Sequence, residues 1–324
     1  MCTSANYIAK HHYFGRNLDL EFSYNETVTV TPRNFPFEFR KMPRVDAHYA
    51  IIGMATISDG YPLYYDATNE KGLSMAGLNF PGNADYKPED VAKTNITPFE
   101  FIPWILGKFE TVDQVEEELR SLNLVNISFS AAFPLSPLHW IISDRTRSIT
   151  VESVREGLRV YHNPVGVLTN NPTFDIQSFN LNNYMQLSTN PPQNNFSSDL
   201  EFDAYSRGMG AIGLPGDLSS ASRFVKVAFT KMNSISGDSE SESISQFFQI
   251  LGSVAQQRGC VNLGEDKYEI TIYSSCCNTD TGVYYYTTYE NSQITGVDMH
   301  KEALDGSDLA AYPLIKGQQI LMQN

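Results

Sequence analysis

Positive charge is scarce in this chain. Its 324 residues hold 23 lysines and arginines against 37 acids, a formal charge of −14 at pH 7. A surface of that sign repels phosphate backbones and anionic lipid, which excludes broad nucleic-acid binding, although a few local arginines can still dominate one pocket. Long apolar runs are missing too, and none approaches the roughly 20 residues a membrane helix needs, so no membrane insertion is expected. One of the longer runs, Ala50–Ile57, contains Gly53 and Thr56 and reads as a buried strand. The first twelve residues carry Lys10, His11 and His12 and no apolar core, so no secretory signal is read there and a cytoplasmic protein is expected. Cysteine is sparse. Cys2, Cys260, Cys276 and Cys277 lack paired Cys-x-x-Cys spacing and histidine neighbours, which argues against structural zinc and for four free thiols in a reducing compartment. Of the adjacent pair Cys276 and Cys277, one is expected to face the core and one solvent.

What is present is a large apolar inventory, 41% hydrophobic and 12% aromatic, enough to bury a substantial core and to exclude general disorder. Strand patterns lead at Tyr13–Asp19, Thr27–Thr31, Ala50–Ile57 and Pro62–Tyr65, with a turn at Asp59-Gly60. Two helices are predicted next. Phe99–Leu106 follows Pro98, and Val112–Leu122 opens on the capping pattern Thr111-x-x-Gln114. Strands return at Leu138–Ser143 and Ser148–Ser153, joined by Asp144–Arg147, and continue through Leu158–Tyr161 and Gly166–Thr169. Residues 183–217 are rich in Asn, Ser, Pro and Gly, too long a stretch for an ordinary connection and so functional or an assembly element. Ser219 and Ser220 can cap a helix to about Met232. A Ser-rich gap at 233–243 precedes a helix over Ile244–Ala255, where Ile244, Phe247, Phe248 and Leu251 share a face. Strands over Tyr268–Ser274, Val283–Tyr289 and Ile294–Met299 close the chain. Strands at both ends of the chain and helices between them in sequence predict an α+β layered fold in a single domain with helices packed outside the sheets, not a doubly wound sheet. A Gly-x-Gly-x-x-Gly at Gly208, Gly210 and Gly213 lacks the preceding strand and following helix of a dinucleotide site, and reads as loop.

Cys2 carries the most chemical information. Loss of the initiator methionine before this small residue would leave a thiol and a free α-amine on one residue. An α-amine ionises at about 7.7–8.0 and a thiol at about 8.5, so the pair can serve as nucleophile and base together. Taken alone, a cysteine at position two is mostly an inert thiol. Its context adds weight: Phe14–Asp19 reads as a strand pairing with the Cys2 strand, which lets Arg16 and Asp19 approach the terminus. A guanidinium there would depress the thiol pKa and a carboxylate would orient the amine. On spacing alone, Arg16 and Asp19 also fit a surface pair worth about 0–1 kcal/mol.

At this point the sequence resembles the choloylglycine hydrolase family. The matches are Met-Cys-Thr at the start, Tyr13-Phe14-Gly15-Arg16-Asn17-Leu18-Asp19, Val30-Thr31-Pro32-Arg33-Asn34 and Ala76-Gly77-Leu78-Asn79-Phe80. Gly166-Val167-Leu168-Thr169-Asn170-Asn171-Pro172, Gly213-Leu214-Pro215-Gly216-Asp217 and Ser222-Arg223-Phe224 continue them in family order. The resemblance implies a four-layer αββα N-terminal nucleophile hydrolase fold spanning 1–324, with 183–217 as a tetramer-assembly extension. It implies Cys2 as nucleophile, Arg16 and Asp19 as the thiol- and amine-orienting pair, Asn79 and Asn170 as oxyanion and amine-network positions, and Arg223 as the second arginine. The implied activity is hydrolysis of glycine- or taurine-conjugated bile salts through a Cys2 thioester, without metal or organic cofactor, in a homotetramer. Bile salt hydrolases of this family resemble the chain in having Asn at position 79, where penicillin V acylases have Tyr. Penicillin V hydrolysis, or bile-acid binding without catalysis, remain the alternatives. Leu20, Tyr24, Tyr65, Phe129, Phe133 and Leu135 are the candidates for an apolar wall that takes a steroid, each able instead to be plain core. His139 and Trp140 are read as structural.

Overall fold

The β pattern of the N-terminal region becomes the middle of a sandwich. The computed structural model describes residues 1–324. Cys2–Ile8 pairs antiparallel with His12–Leu20, which sets Cys2 opposite Leu18 and Ser4 opposite Arg16. A strand from the far end of the chain, Ile270–Asn278, lies on the other side of His12–Leu20. The full six-stranded order runs Val167–Leu168, Cys2–Ile8, His12–Leu20, Ile270–Asn278, Val283–Thr288, Asn291–Asp298. The second sheet has eight strands in the order Gly157–His162, Ser148–Val154, Leu138–Ser143, Ser74–Asn79, Tyr61–Asn69, Ile51–Ser58, Thr27–Thr31, Ala310–Pro313. Ile51–Ser58 turns into Tyr61–Asn69 through Asp59 and Gly60, both at positive φ (50° and 76°), the backbone that matches the twist of a tight hairpin.

Helices cover the outer faces. Helices α1 (Phe101–Lys108) and α2 (Val112–Leu119) pack on the eight-stranded sheet, where Phe101, Trp104 and Ile105 meet Met75, Trp140 and Ile142. A short α3 (Phe174–Asn180) follows the Val167–Leu168 strand. Helices α4 (Ser220–Asn233) and α5 (Glu240–Gly252) cover the six-stranded sheet through Phe224, Val227, Phe247 and Leu251. The result is an α+β fold of four layers, αββα. Central strands with both faces covered are buried along most of their length, as in Ser148–Val154. For the same reason the expectation for Cys276 and Cys277 fails, since the sheet offers neither of them a solvent face and both are buried. Cys276 has Glu240 of α5 as a charged neighbour, while Cys277 has Thr68 and Asp66 of the other sheet. Burial pushes the Cys277 thiol up to about 12 and Cys276 well above its ordinary value, so neither is a nucleophile near neutral pH.

Helix ends shift from the sequence reading for local reasons. Helix α1 starts two residues later than predicted and puts Pro103 in its first turn, where a missing N–H costs nothing. Helix α2 ends at Leu119, and Leu122 begins a short strand instead. The Ser-rich gap is shorter than expected because Ser239 and Glu242 form a reciprocal capping box that starts α5 at Glu240. Residues 183–217 hold only two short 3₁₀ turns, Leu181–Tyr184 reaching into them and Met209–Ala211. No helix is long and apolar enough to cross a membrane.

Two outcomes follow from this packing. A Cβ on Gly15 would overlap the Ser275 carbonyl of the neighbouring strand, so Gly15→Ala is expected to lose about 3 kcal/mol or more in urea unfolding. His12 lies buried between Thr279 and Ser143, and burial pushes its pKa down to about 4 from 6.5. The unfolded chain therefore takes up this proton first as the pH falls. Stability present above about 6.5 is lost progressively down to about 4, on the order of 3 kcal/mol in all, and His12→Asn should flatten that part of the stability–pH curve.

Candidate active site

Cys2 is the first residue of an interior strand and is almost wholly buried, at 2% exposure. Its backbone nitrogen donates to Asn170 Oδ1 at 2.8 Å. Asn170 follows the Val167–Leu168 strand, which pairs with the Cys2 strand on its free side. The same Oδ1 accepts from Arg223 Nη2 at 2.8 Å, and Arg223 Nη1 donates to the Cys2 carbonyl and to Thr3 Oγ1, both at 2.6 Å. Arg223 sits in the first turns of α4, where a cation opposes the helix dipole, yet it is fully buried with its Nε on the Leu218 carbonyl. Asp19 lies 3.9 Å from Arg223 and accepts from Thr271 Oγ1 at 2.6 Å, while its Oδ2 has no hydrogen-bond partner. The Met1 ammonium donates to the Asp19 carbonyl at 2.7 Å and pairs with Glu269.

Arg16 approaches from the opposite side, reaching across the sandwich. Its Nη1 donates to the carbonyls of Tyr65 (3.0 Å) and Gly77 (2.5 Å) in the eight-stranded sheet, and its Nη2 has no partner within the chain. The two carboxamides prove inequivalent. Asn170 Nδ2 gives one of its two hydrogens to the Asn79 carbonyl at 2.6 Å, while its Oδ1 accepts from Cys2 N and Arg223. The Asn79 side chain has no such commitment and lines the cavity in front of Cys2 and Arg16. Of the two, Asn79 is the one whose side chain lines the cavity. His139 is structural, as read: fully buried, it touches Glu152 with one ring nitrogen and the Thr169 carbonyl with the other, and it stacks on Phe80 at 4.1 Å. It braces the residues next to both Asn79 and Asn170.

Burial governs the ionisation here. It pushes the carboxyls of Asp19 and Asp66 up, against the pull of Arg223 on the first and Arg16 on the second. It lowers the terminal ammonium at Met1 and the Arg223 guanidinium as well, though an arginine remains a cation under any such shift. No group of three or more His, Cys, Asp or Glu side chains is arranged to hold a metal ion.

The cavity in front of Cys2 measures about 320 Å³, and 15 of its 22 lining residues are hydrophobic. All six wall candidates line it: Leu20, Tyr24, Tyr65, Phe129, Phe133 and Leu135. Sequence reading missed Leu18, Leu63, Phe99 and Ile102 on the same wall. It also missed Thr271 behind Asp19, and Asp66, whose signal was an acid set among the aromatic and apolar residues of the Tyr61–Asn69 strand. One cavity thus exposes a sulfur, an unpartnered guanidinium nitrogen and a free carboxamide at one end and aromatic rings at the other. Such a site can take an apolar acyl group with its polar carbonyl turned towards the sulfur. Arg223→Met should cost about 3–5 kcal/mol in urea unfolding, because Asp19 would stay buried without its cation.

Comparison with known proteins agrees with this geometry. The family model for linear amide C–N hydrolases, choloylglycine hydrolase family, matches residues 2–312. A bile salt hydrolase/transferase of Lactiplantibacillus plantarum is 61% identical over 314 residues, 97% of this chain and 97% of that one. A bile salt hydrolase/transferase of Clostridium perfringens is 44% identical over 317 residues, 96% of each chain. Among solved structures, a mutant conjugated bile acid hydrolase from Clostridium perfringens superposes with TM-score 0.93 at 43% identity, with all of both chains covered. A penicillin V acylase from Agrobacterium tumefaciens, at 19% identity and TM-score 0.76 over 98% of this chain and 94% of that one, shares the N-terminal nucleophile hydrolase fold. The chain belongs to the choloylglycine hydrolase family of linear amide C–N hydrolases.

Proposed function

We propose that this enzyme hydrolyses the amide bond of glycine- or taurine-conjugated bile salts, with Cys2 as its nucleophile once Met1 is removed. The observation that carries the reading is the meeting of Cys2, Arg16, Asp19, Asn170 and Arg223 with the free Asn79 carboxamide at one end of an apolar, aromatic-lined cavity. Its volume of about 320 Å³ falls within the range of small-molecule sites.

Before processing, the Cys2 nitrogen is an amide and cannot accept a proton. Loss of Met1 turns it into an amine that keeps Asn170 Oδ1 as its acceptor and has the unpartnered Asp19 Oδ2 nearby as a counter-charge. The amine takes the Cys2 Sγ proton and the thiolate attacks the amide carbonyl carbon. The carbonyl oxygen becomes an oxyanion that accepts a hydrogen bond from Asn79. The ammonium then gives its proton to the amide nitrogen, the C–N bond breaks, and glycine or taurine leaves a thioester behind. Water passes a proton to the same amine as its oxygen attacks the thioester. The free bile acid departs and Sγ–H is restored. Arg223, fixed on the Cys2 carbonyl, and Asn170 hold the first residue in place while the bonds change.

The exposed Met185, Phe196, Phe202 and Tyr205 of 183–217 support a homotetramer built through that segment, working in the cytoplasm. Side-by-side kcat/KM on glycocholate, taurocholate and penicillin V, with intact-mass analysis, tests the reading. Activity is expected only in the fraction lacking Met1 and should favour the bile salts. Cys2→Ser should lose at least about 10³-fold, and Asn79→Ala about 10²–10³-fold in kcat. Full activity with Met1 retained, or a clear preference for penicillin V, would overturn it. Sedimentation of the intact chain should give four copies, and a monomer would remove the assembly role of 183–217.

A further inference from the structure

Behind Arg16, on the side away from the cavity, lies a second carboxylate that the reaction described above does not use. Asp66 is 1% exposed, next in sequence to Tyr65, whose carbonyl holds Arg16. Three hydroxyls donate to it: Tyr273 to Oδ1 at 2.6 Å, Tyr284 to Oδ2 at 2.7 Å and Ser275 to Oδ2 at 3.0 Å. Ser275 Oγ in turn accepts the backbone N–H of Arg16 at 3.0 Å. Its single proton is thereby committed to Asp66, and the hydroxyl ties the catalytic strand to the carboxylate. Three O–H donors on one carboxylate stabilise its ionised form.

Arg16 needs such a partner. It is fully buried, and none of its hydrogen bonds goes to a carboxylate. Burial works against its charge, and the groups that outweigh it are Cys2, Tyr273, Asp66 and Asp19. Burial also pushes the Tyr273 hydroxyl well above its ordinary value, so the carboxyl groups among these neighbours are Asp66 and Asp19. Asp19 faces Arg223 as well, whereas Arg16 is the one arginine that Asp66 faces. We propose that Asp66 is the positioning residue of Arg16, tied to its strand through Ser275, and that it offsets part of the Arg16 positive charge at the Cys2 sulfur. The proposal rests on Cys2 being the working thiol. Cys2 faces Arg16, Asp19, Arg223 and its own amine, with Glu269 beyond, while Asp66 faces Arg16, Tyr273, Tyr284 and Cys277.

The test is the pH profile of iodoacetamide alkylation at Cys2 in the processed enzyme, followed by peptide mapping, with exposed Cys260 as internal control. Loss of hydrolysis in step with Cys2 alkylation in the wild type examines the reading of Cys2, separately from the variants. Asp66→Asn removes a negative charge and should move the Cys2 midpoint by roughly one pH unit towards acid, carrying the acid limb of kcat/KM with it and leaving Cys260 unmoved. Tyr284→Phe keeps the charge and should leave the midpoint where it is. An unmoved midpoint in Asp66→Asn, or an equal shift in Tyr284→Phe, overturns the proposal. Should Asp66→Asn fail to fold, thermal unfolding of Arg16→Met and Arg16→Met/Asp66→Asn decides: the double variant should melt higher, since it no longer buries an unpaired carboxylate. A double variant that melts at or below the single one overturns the proposal.

Discussion

The chain confines ionised groups around its first cysteine in a space with almost no access to water, and the rest of the structure follows from that constraint. Isolated charges cannot persist there, because desolvation costs several kcal/mol per ion. Each is met from a different part of the chain: Asp19 by Arg223 and Thr271, Arg16 by carbonyls of the opposite sheet with Asp66 behind it. The same shortage of water that makes these charges expensive also leaves their fields poorly screened.

Holding that arrangement requires a particular topology. The terminal residue must lie inside a sheet, so its strand is flanked by His12–Leu20 on one side and Val167–Leu168 on the other. One neighbour brings Arg16 and Asp19 and the other leads into Asn170. Helix α4 then delivers Arg223 from the outer layer onto the Cys2 carbonyl. The second sheet supplies the carbonyls of Tyr65 and Gly77 and also the cavity wall beyond Asn79. The αββα layering thus encloses the polar end while leaving an apolar opening in front of it.

Much of this was legible in the chain itself, because strand periodicity and local spacing are written into short windows. The pairing of Phe14–Asp19 with the Cys2 strand, the hairpin at Asp144–Arg147 and the α4 cap at Ser219 needed only neighbours in sequence. The motif resemblance brought together Asn79, Asn170 and Arg223, which spacing alone left as turn and helix-surface residues. Failures clustered where distant segments decide. Cys276 and Cys277 were split between core and solvent because a strand pattern does not announce a helix layer on its far face. Asp66 was passed over because its three hydroxyl partners lie 207, 209 and 218 positions away, and Arg16 belongs to the other sheet.

By itself, the sequence determined the kinds of chemistry on offer: a second-position thiol, scarce cations at a few marked positions, enough aromatic surface for an apolar pocket, and the alternation that makes sheets. Those are properties of composition and of contacts a few residues apart. Tertiary structure alone decided which asparagine lines the cavity, which carboxylate lies beside which arginine and which side of Cys2 opens to a cavity. Each of these depends on hydrogen-bond direction and burial, set only when strands from both ends of the chain lie side by side.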